Sequence, residues 1–205
     1  VSTAIDVAVD CAGHPALRQH GEAILARGID LITVSSGALA DAELLTQLQA
    51  ASRAGGAQLR VVAGASGALD TLAAASGGQQ THGTYRGRKP PRGWRGSVAE
   101  EKLDLDALTE ATVHISGNAR DAALEYPKNA NVAASVALAG VGFDDTSVEL
   151  IADPGIGRNV HEIVAEGDFG RCEFSIAGES LPGNPRSSAL TAMSVVRAIL
   201  DRVSP

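Results

Sequence analysis

The first 63 residues alternate between strand-like and helix-like patterns, and this alternation constrains the fold more than any other feature. Strand patterns cover residues 5–11, 30–34 and 59–63, and helix patterns begin near Pro15 and Asp41. Proline favours the first turn of a helix, and glycines follow both helix patterns. Strands joined by single helices form right-handed crossovers. This part of the chain therefore predicts a parallel sheet.

The pattern changes near residue 76, which we interpret as a domain boundary. Residues 1–76 predict the C-terminal half of a Rossmann-like dinucleotide-binding domain. Residues 77–183 mix helix patterns with strand patterns and predict an α+β catalytic domain with a mixed or antiparallel sheet. These patterns lie at residues 119–124 and 133–138 for helices, and at 147–152 and 171–176 for strands. The predicted fold class is α/β, with a partial Rossmann-type parallel sheet followed by that second domain.

Residues 184–205 predict a C-terminal helix that packs back on the first domain. Asn184 suits the cap and Pro185 the first helical position. One apolar stripe at helical spacing is expected to form the contact. It consists of Leu190, Met193, Val196, Leu200 and Val203.

Composition excludes several classes of protein. Hydrophobic residues make up 44% of the chain, which argues against disorder, and no apolar run reaches the roughly 18 residues of a membrane span. The net charge of −7 argues against general nucleic-acid binding. The two cysteines, Cys11 and Cys172, lie far apart and suit a reducing cytoplasm. The histidines have no ligand spacing, so we expect no metal site.

Two strings of residues carry the chemistry. One is Tyr126-Pro127-Lys128-Asn129-Ala130-Asn131-Val132-Ala133-Ala134, and the other is Asp153-Pro154-Gly155-Ile156-Gly157-Arg158-Asn159-Val160-His161-Glu162. Read together, they resemble the L-aspartate dehydrogenase family. The resemblance implies oxidation of L-aspartate to iminoaspartate, then oxaloacetate and ammonia, with NAD or NADP as cofactor. It also implies a role in NAD biosynthesis.

The resemblance assigns roles to three residues. It implies that His161 is the catalytic acid–base group, since an imidazole can accept a proton near neutral pH; the alternative is a structural histidine. It implies that Asn131 contacts the cofactor, with helix capping as the alternative. It implies a cofactor contact at Ala65, in the turn after the third strand. The loops at 12–14 and 35–37 share that edge of the sheet and could contact the nicotinamide side.

Three residues near the two strings are candidates for binding the substrate carboxylates: Lys128, Arg158 and Asn159. The basic stretch from Arg86 to Arg95 is another candidate, because guanidinium groups suit carboxylates. The alternative, which we favour, is that this stretch forms a solvated surface loop. Gly155-Ile156-Gly157 follows a strand but has no third glycine and opens no obvious helix, so we reject it as a phosphate-binding turn.

A Gly-rich turn of the G-x-G-x-x-G type does not precede the first strand pattern. We therefore expect the sequence to be a fragment of a longer product or an incomplete homologue, with an unpaired edge at its first strand. Such an edge and an open sheet favour a homo-oligomer, most simply a dimer. Two alternatives to an active enzyme of this family stay open: a catalytically silent homologue, and a related two-domain reductase of the dihydrodipicolinate or semialdehyde type.

Overall fold

Three parallel strands form the first sheet, in the order β1-β2-β3. The computed structural model describes residues 5–63, 68–78, 80–181 and 184–203. The strands are Val7–Asp10 (β1), Asp30–Thr33 (β2) and Leu59–Val61 (β3). Helices His14–Leu25 (α1) and Ala42–Gly55 (α2) connect them, and a 3₁₀ turn at Ser36–Ala40 follows β2. The predicted parallel sheet of a partial Rossmann-type fold is confirmed.

The second sheet has five strands in the order β5-β6-β4-β7-β8. Their bounds are Gln80–Lys89 (β4), Thr112–Asn118 (β5), Thr146–Ala152 (β6), Asn159–Gly167 (β7) and Gly170–Gly178 (β8). β4 and β6 are parallel, and the other neighbours are antiparallel. The sheet is therefore mixed, as predicted. The helices of this part are Leu69–Ser76 (α3), Ala99–Lys102 (α4), Ala119–Glu125 (α5) and Asn131–Ala139 (α6).

The prediction of a solvated loop over residues 86–95 is wrong for its first part. Residues 86–89 belong to β4, the central strand of the second sheet, and Pro91–Trp94 forms a 3₁₀ turn. Tyr85 and Gly87 are buried and Arg86 is exposed, which is the alternation of a strand. Arg86 pairs with Glu149 of β6 at 2.6 Å, so the strand's positive charge is partly balanced by its neighbour.

The C-terminal helix begins later than the sequence predicted. Asn184–Ser188 forms a short strand (β10), which pairs antiparallel with Ser180–Leu181 (β9), and the helix is Ala189–Val203 (α7). The expected cap at Asn184 is therefore wrong. The physical reason is that residues 184–188 pair with β9 and stay extended, so the helix begins only after this strand ends.

The expected contact stripe of α7 is also wrong. Leu190, Met193, Val196 and Leu200 are 38–61% exposed. The side of α7 that packs against the first sheet carries Ala198, which lies in a buried cluster with Ile32 of β2 and Val62. Ion pairs of Arg60 with Asp201 and of Arg202 with Asp30 border this contact. The side chain of Val203 lies outside the described part of the structure.

One cluster of buried side chains connects the two sheets. It includes Leu17 and Leu31 from the first part, and Tyr85 and Ile163 from the second. The 3₁₀ turn after β2 and the start of α6 meet within this region, where Ser36 Oγ donates a hydrogen bond of 2.6 Å to the backbone oxygen of Asn131. The carboxyl ends of β1 and β2 are thereby held against α6. In the described ranges, no helix is both long and apolar enough to cross a membrane.

Candidate active site

Asn131 lies where the loops after β1 and β2 meet α6. Its Oδ1 accepts hydrogen bonds from the backbone N–H of Gly37 at 2.8 Å and from Nε2 of His14 at 3.0 Å. Because a backbone N–H can only donate, these bonds fix which end of the amide is the oxygen. Nδ2 has no hydrogen-bond partner among the described residues, so its two donors are available to a ligand.

The capping interpretation of Asn131 is wrong. The helix α6 begins at Asn131 itself, and the preceding residue, Ala130, makes no side-chain cap. The side-chain oxygen instead joins α6 to the first sheet. Asn131 is therefore in a position to orient a ligand at the carboxyl edge of that sheet, where open α/β sheets bind ligands.

Gly37 leaves no space for a side chain beside Asn131. A Cβ at this position would lie 2.9 Å from Asn131 Oδ1 and 2.9 Å from His14 Cε1. Contacts this short require a shift of the neighbouring groups. The close approach of backbone and amide therefore depends on glycine.

We expect Gly37→Ala to raise the KM for NADH about tenfold, because a displacement of even 1 Å at a positioning group weakens its function strongly. The measurement is initial-rate kinetics with NADH as the varied substrate. Gly117→Ala is the control, because Gly117 has no positive φ and a Cβ there would meet nothing within 4 Å. An unchanged KM for NADH in Gly37→Ala would contradict a ligand contact at Asn131.

His161 lies on β7 and is 5% exposed. Its Nδ1 is 2.7 Å from the hydroxyl of Tyr85, which is itself fully buried on β4. Burial, together with the positive charge of Lys89, lowers the pKa of His161 to about 4. The imidazole is therefore neutral near pH 7 and can accept a proton. Burial also raises the pKa of Tyr85, which keeps its hydroxyl protonated.

The strand register explains how Tyr85 reaches His161. Gly87 is the Cα partner of His161 across β4 and β7, and Tyr85 lies two residues before it on the same face. A Cβ at Gly87 would lie 2.8 Å from the Tyr85 hydroxyl. The absence of a side chain at Gly87 lets the tyrosine ring lie across this position and place its hydroxyl at Nδ1.

A tyrosine hydroxyl suits a histidine that takes up and releases protons. The hydroxyl can donate to Nδ1 or accept from it, so the ring can carry its proton on either nitrogen. A carboxylate partner would only accept, and it would favour one tautomer. The Tyr85 hydroxyl therefore holds the imidazole in place without fixing the position of its proton.

We expect Tyr85→Phe to lower turnover about tenfold and to displace the acidic limb of the pH–rate profile. Loss of the hydroxyl leaves Nδ1 buried without a partner, which costs about 1–3 kcal/mol of stability as well. The measurements are kcat as a function of pH and urea unfolding.

The matched control for Tyr85→Phe is Tyr126→Phe. The Tyr126 hydroxyl lies 3.0 Å from Nδ1 of His114, a second buried hydroxyl–imidazole pair. We expect this variant to lose stability and to keep its turnover. Equal loss of turnover in both variants would mean that Tyr85 acts only through stability.

Lys89, the last residue of β4, lies on the same face of the strand as Tyr85 and Gly87. Its Nζ donates a hydrogen bond of 2.8 Å to Oδ1 of Asn129. It also lies 4.8 Å from the centre of the Trp94 ring. Burial lowers the pKa of Lys89 to about 8. Gly87, two residues before Lys89, is the Cα partner of His161, so Lys89 and His161 lie on the same face of the sheet.

Asp153, the start of the second string, has a structural role. Its Oδ1 accepts a hydrogen bond of 2.8 Å from the backbone N–H of Gly155, and its Oδ2 pairs with Arg88. Burial alone would raise the pKa of Asp153, but the Arg88 contact lowers it overall. The turn at 154–158 leads into β7 and not into a helix, which agrees with its rejection as a phosphate-binding turn.

The structure separates the predicted substrate-binding residues. Arg158 is exposed and pairs with Glu179 at 2.6 Å, and Lys128 is exposed. Asn159 is half-buried at the start of β7, with its Oδ1 near the backbone of Gly93. Ala65 lies outside the described residues. No group of three or more metal-binding side chains occurs in the part of the chain that the structure describes.

Sequence analysis missed Tyr85 and Lys89 as individual site residues. A signal was present: Tyr85, Gly87 and Lys89 alternate with Arg86 and Arg88, which is the period of a strand. The density of positive charge in this stretch favoured a loop instead. Asn129 was part of the quoted string, but nothing in the sequence indicated its contact with Lys89.

The arrangement at Asn131 offers hydrogen-bond donors to a polar ligand. The two Nδ2 donors of Asn131 suit a carboxamide oxygen, and Gly37 has no side chain that would displace the amide. The second sheet contributes a buried neutral imidazole and a partly buried ammonium. Together these groups can bind an anionic ligand, donate hydrogen bonds to a polar one and move a proton.

Comparison with known proteins gives consistent results. A family model described as the C-terminal domain of aspartate dehydrogenase matches residues 70–202, and one described as the NAD-binding domain of homoserine dehydrogenase matches residues 1–62. An L-aspartate dehydrogenase of Ruegeria pomeroyi is 60% identical over 197 residues, which cover 96% of this chain and 72% of the relative. One of Cupriavidus necator is 53% identical, covering 96% and 74%.

A solved structure gives the same result for the fold. The aspartate dehydrogenase of Thermotoga maritima matches with a TM-score of 0.82 and 26% identity. The match covers 100% of this chain and 78% of that one. Both sheets of this chain therefore have counterparts in a single known structure.

Proposed function

This chain belongs to the L-aspartate dehydrogenase family, and we propose that His161 is the acid–base group of its reaction. The family consists of oxidoreductases that act on the CH–NH₂ group and use NAD or NADP. The observation that carries the proposal is a buried neutral imidazole, bonded to Tyr85 and close to Lys89. This fits a group that moves protons at a site for an anionic substrate.

The proton balance of the reaction requires such a group. Oxidation of L-aspartate to iminoaspartate removes a hydride from the α-carbon and a proton from the nitrogen. Water then adds to the imine carbon with loss of another proton, and ammonia leaves to give oxaloacetate. His161 is proposed to take up these protons in oxidation and to return them in reductive amination.

We propose that Asn131 orients the cofactor, which supplies the hydride-accepting carbon when it is bound. Its Nδ2 is proposed to donate to the nicotinamide carboxamide, while Gly37 and His14 hold its Oδ1. Ala65 remains a proposed cofactor contact from the sequence. Lys128, Arg158 and Asn159 remain proposed substrate contacts, although the ion pair of Arg158 with Glu179 weakens its case.

The test is consumption of NADH by the purified chain with oxaloacetate and ammonia, followed by absorbance. We expect turnover that depends on both substrates, and little with pyruvate in place of oxaloacetate. Turnover with a semialdehyde or dihydrodipicolinate instead would favour the related reductases. An absence of both turnover and NADH binding at millimolar concentration would favour a silent homologue.

We further propose that the chain acts as a homo-oligomer in the cytoplasm. The exposed apolar residues of α7, from Leu190 to Leu200, provide a surface suited to contact between copies. Two free cysteines are compatible with a reducing compartment. Sedimentation equilibrium tests the oligomer; a monomer at micromolar concentration would contradict it.

A further inference from the structure

Lys89 is a partly buried ammonium that has no counter-ion among the described residues. No carboxylate oxygen lies within 4.0 Å of its Nζ among the described residues, although thirteen other ion-pair contacts are found there. An ammonium has three N–H donors, and Asn129 Oδ1 accepts one of them. The Trp94 ring provides a further contact, but it cannot accept a full hydrogen bond.

An unpaired charge in this position is costly for the folded chain. Burying a charged group without a partner disfavours the charged form, and the pKa of Lys89 falls to about 8 for this reason. The other basic residues of β4 differ: Arg86 pairs with Glu149, and Arg88 pairs with Asp153. Both lie on the opposite face of the strand. Lys89 is therefore the basic residue of β4 that lacks a carboxylate partner among the described residues, and an anionic ligand could take that place.

The position of Lys89 places such a ligand within the catalytic site. Lys89 lies on the same strand face as Tyr85 and Gly87, and Gly87 is the Cα partner of His161 on β7. Its partner Asn129 lies two residues before Asn131, the first residue of α6. A ligand at Lys89 would therefore lie on the sheet face that carries the proposed proton-transfer residue.

We propose that Lys89 binds one of the two carboxylates of the substrate. The identity of the ligand rests on the proposed function; the need for an anion at this position rests on the structure. A carboxylate would occupy the two remaining donors of Nζ in charge-assisted hydrogen bonds. This assigns substrate binding to a residue of the sheet interior and not to the exposed Lys128 or the paired Arg158.

The same contact would prepare His161 for catalysis. Lys89 is the second cause, after burial, of the low pKa of His161. A carboxylate at Nζ offsets that positive charge, so the pKa of His161 rises when the substrate binds. A base is most effective when its pKa is close to the working pH. Substrate binding thereby strengthens the base that the reaction needs.

The test uses succinate, an unreactive dicarboxylate, titrated into the chain with saturating NAD present. Binding is followed by calorimetry and by the fluorescence of Trp94, the sole tryptophan, whose ring lies beside Lys89. We expect saturable binding to the wild type, and a Kd at least about tenfold higher for Lys89→Met, typical of loss of a charge-assisted contact. Lys89→Arg keeps the charge and should retain part of the affinity.

The matched control is Arg86→Met, which removes one positive charge from the opposite face of the same strand. We expect its Kd for succinate to equal that of the wild type. The proposal fails if Lys89→Met, folded by circular dichroism, binds succinate as the wild type does. It also fails if Arg86→Met weakens binding equally, or if the wild type binds no succinate.

The binding test and the turnover test can contradict the two proposals independently of each other. A chain that turns over oxaloacetate while Lys89→Met keeps the wild-type KM and Kd would retain the proposed function and lose this site. A chain that binds succinate through Lys89 but reduces a different acid would lose the proposed substrate and retain the site.

Discussion

Replacement of His161 by alanine should lower turnover with oxaloacetate and ammonia at least about 100-fold, which is the usual contribution of an acid–base group. We expect this loss because His161 is the one residue proposed to transfer the protons of imine formation and hydrolysis. The imidazole is buried and held by Tyr85, so bulk water cannot easily replace it. The measurement is the initial rate of NADH oxidation at saturating substrates.

A control and a binding measurement separate catalysis from folding. His82→Ala changes an exposed histidine of β4 and should leave turnover unchanged. His161→Ala should still bind succinate, because Lys89 is intact. If His161→Ala turned over within a fewfold of the wild type, His161 would have no role in the proposed mechanism. Retained binding of succinate would show that the variant is folded.

Local patterns were sufficient to predict the first sheet. Each of its strands is short and apolar, each connecting helix has its own start and stop residues, and parallel pairing follows from the connection. The catalytic candidate also depended on a local string around His161. A local string does not reveal which side chains surround His161, because its partner Tyr85 lies 76 positions earlier in the chain.

The second sheet was harder to predict because its central strand is polar. β4 contains Arg86, Arg88 and Lys89, and each is compensated by a residue far away in sequence or, for Lys89, by a ligand as we propose. Strand propensity reflects packing against neighbours and burial, and neighbours 40–65 positions away are not visible in a short window. The function of Lys89 was hidden for the same reason.

The C-terminal helix shows a different limit. Its apolar residues fall on two sides, and the sequence could not decide which side is buried. The structure buries Ala198 against Ile32 and Val62, and it leaves the larger residues Met193 and Val196 exposed. Val195 and Ile199 also pack against this cluster, so both sides of the helix carry large apolar residues and hydrophobicity alone could not distinguish them.

Acidification should destabilise the folded chain between pH 6.5 and pH 4. Burial lowers the pKa of both His161 and His114 to about 4, against about 6.5 in an unfolded chain. In this window the unfolded chain binds more protons than the folded chain, so the free energy of unfolding falls as the pH falls. The stabilising contribution is complete above about pH 6.5 and is lost as the pH passes through about 4.

The size of the effect differs between the two histidines. For His161 the difference in pKa corresponds to about 3 kcal/mol across the window. His114 should contribute less. Burial is the main cause of its low pKa, but its charged neighbours Lys102 and Glu125 act in opposite directions and are themselves partly exposed, so solvent screens them.

Urea unfolding at pH 7.5 and pH 4.5, followed by Trp94 fluorescence, measures this dependence. His161→Gln and His114→Gln each replace an imidazole with a group that does not titrate, so each should flatten part of the dependence, with His161→Gln removing the larger part. The double variant should retain only the contribution of the remaining groups. If both single variants kept the full wild-type pH dependence of the free energy of unfolding, His161 would not be a buried neutral imidazole. The proposed proton transfer would then lose its basis.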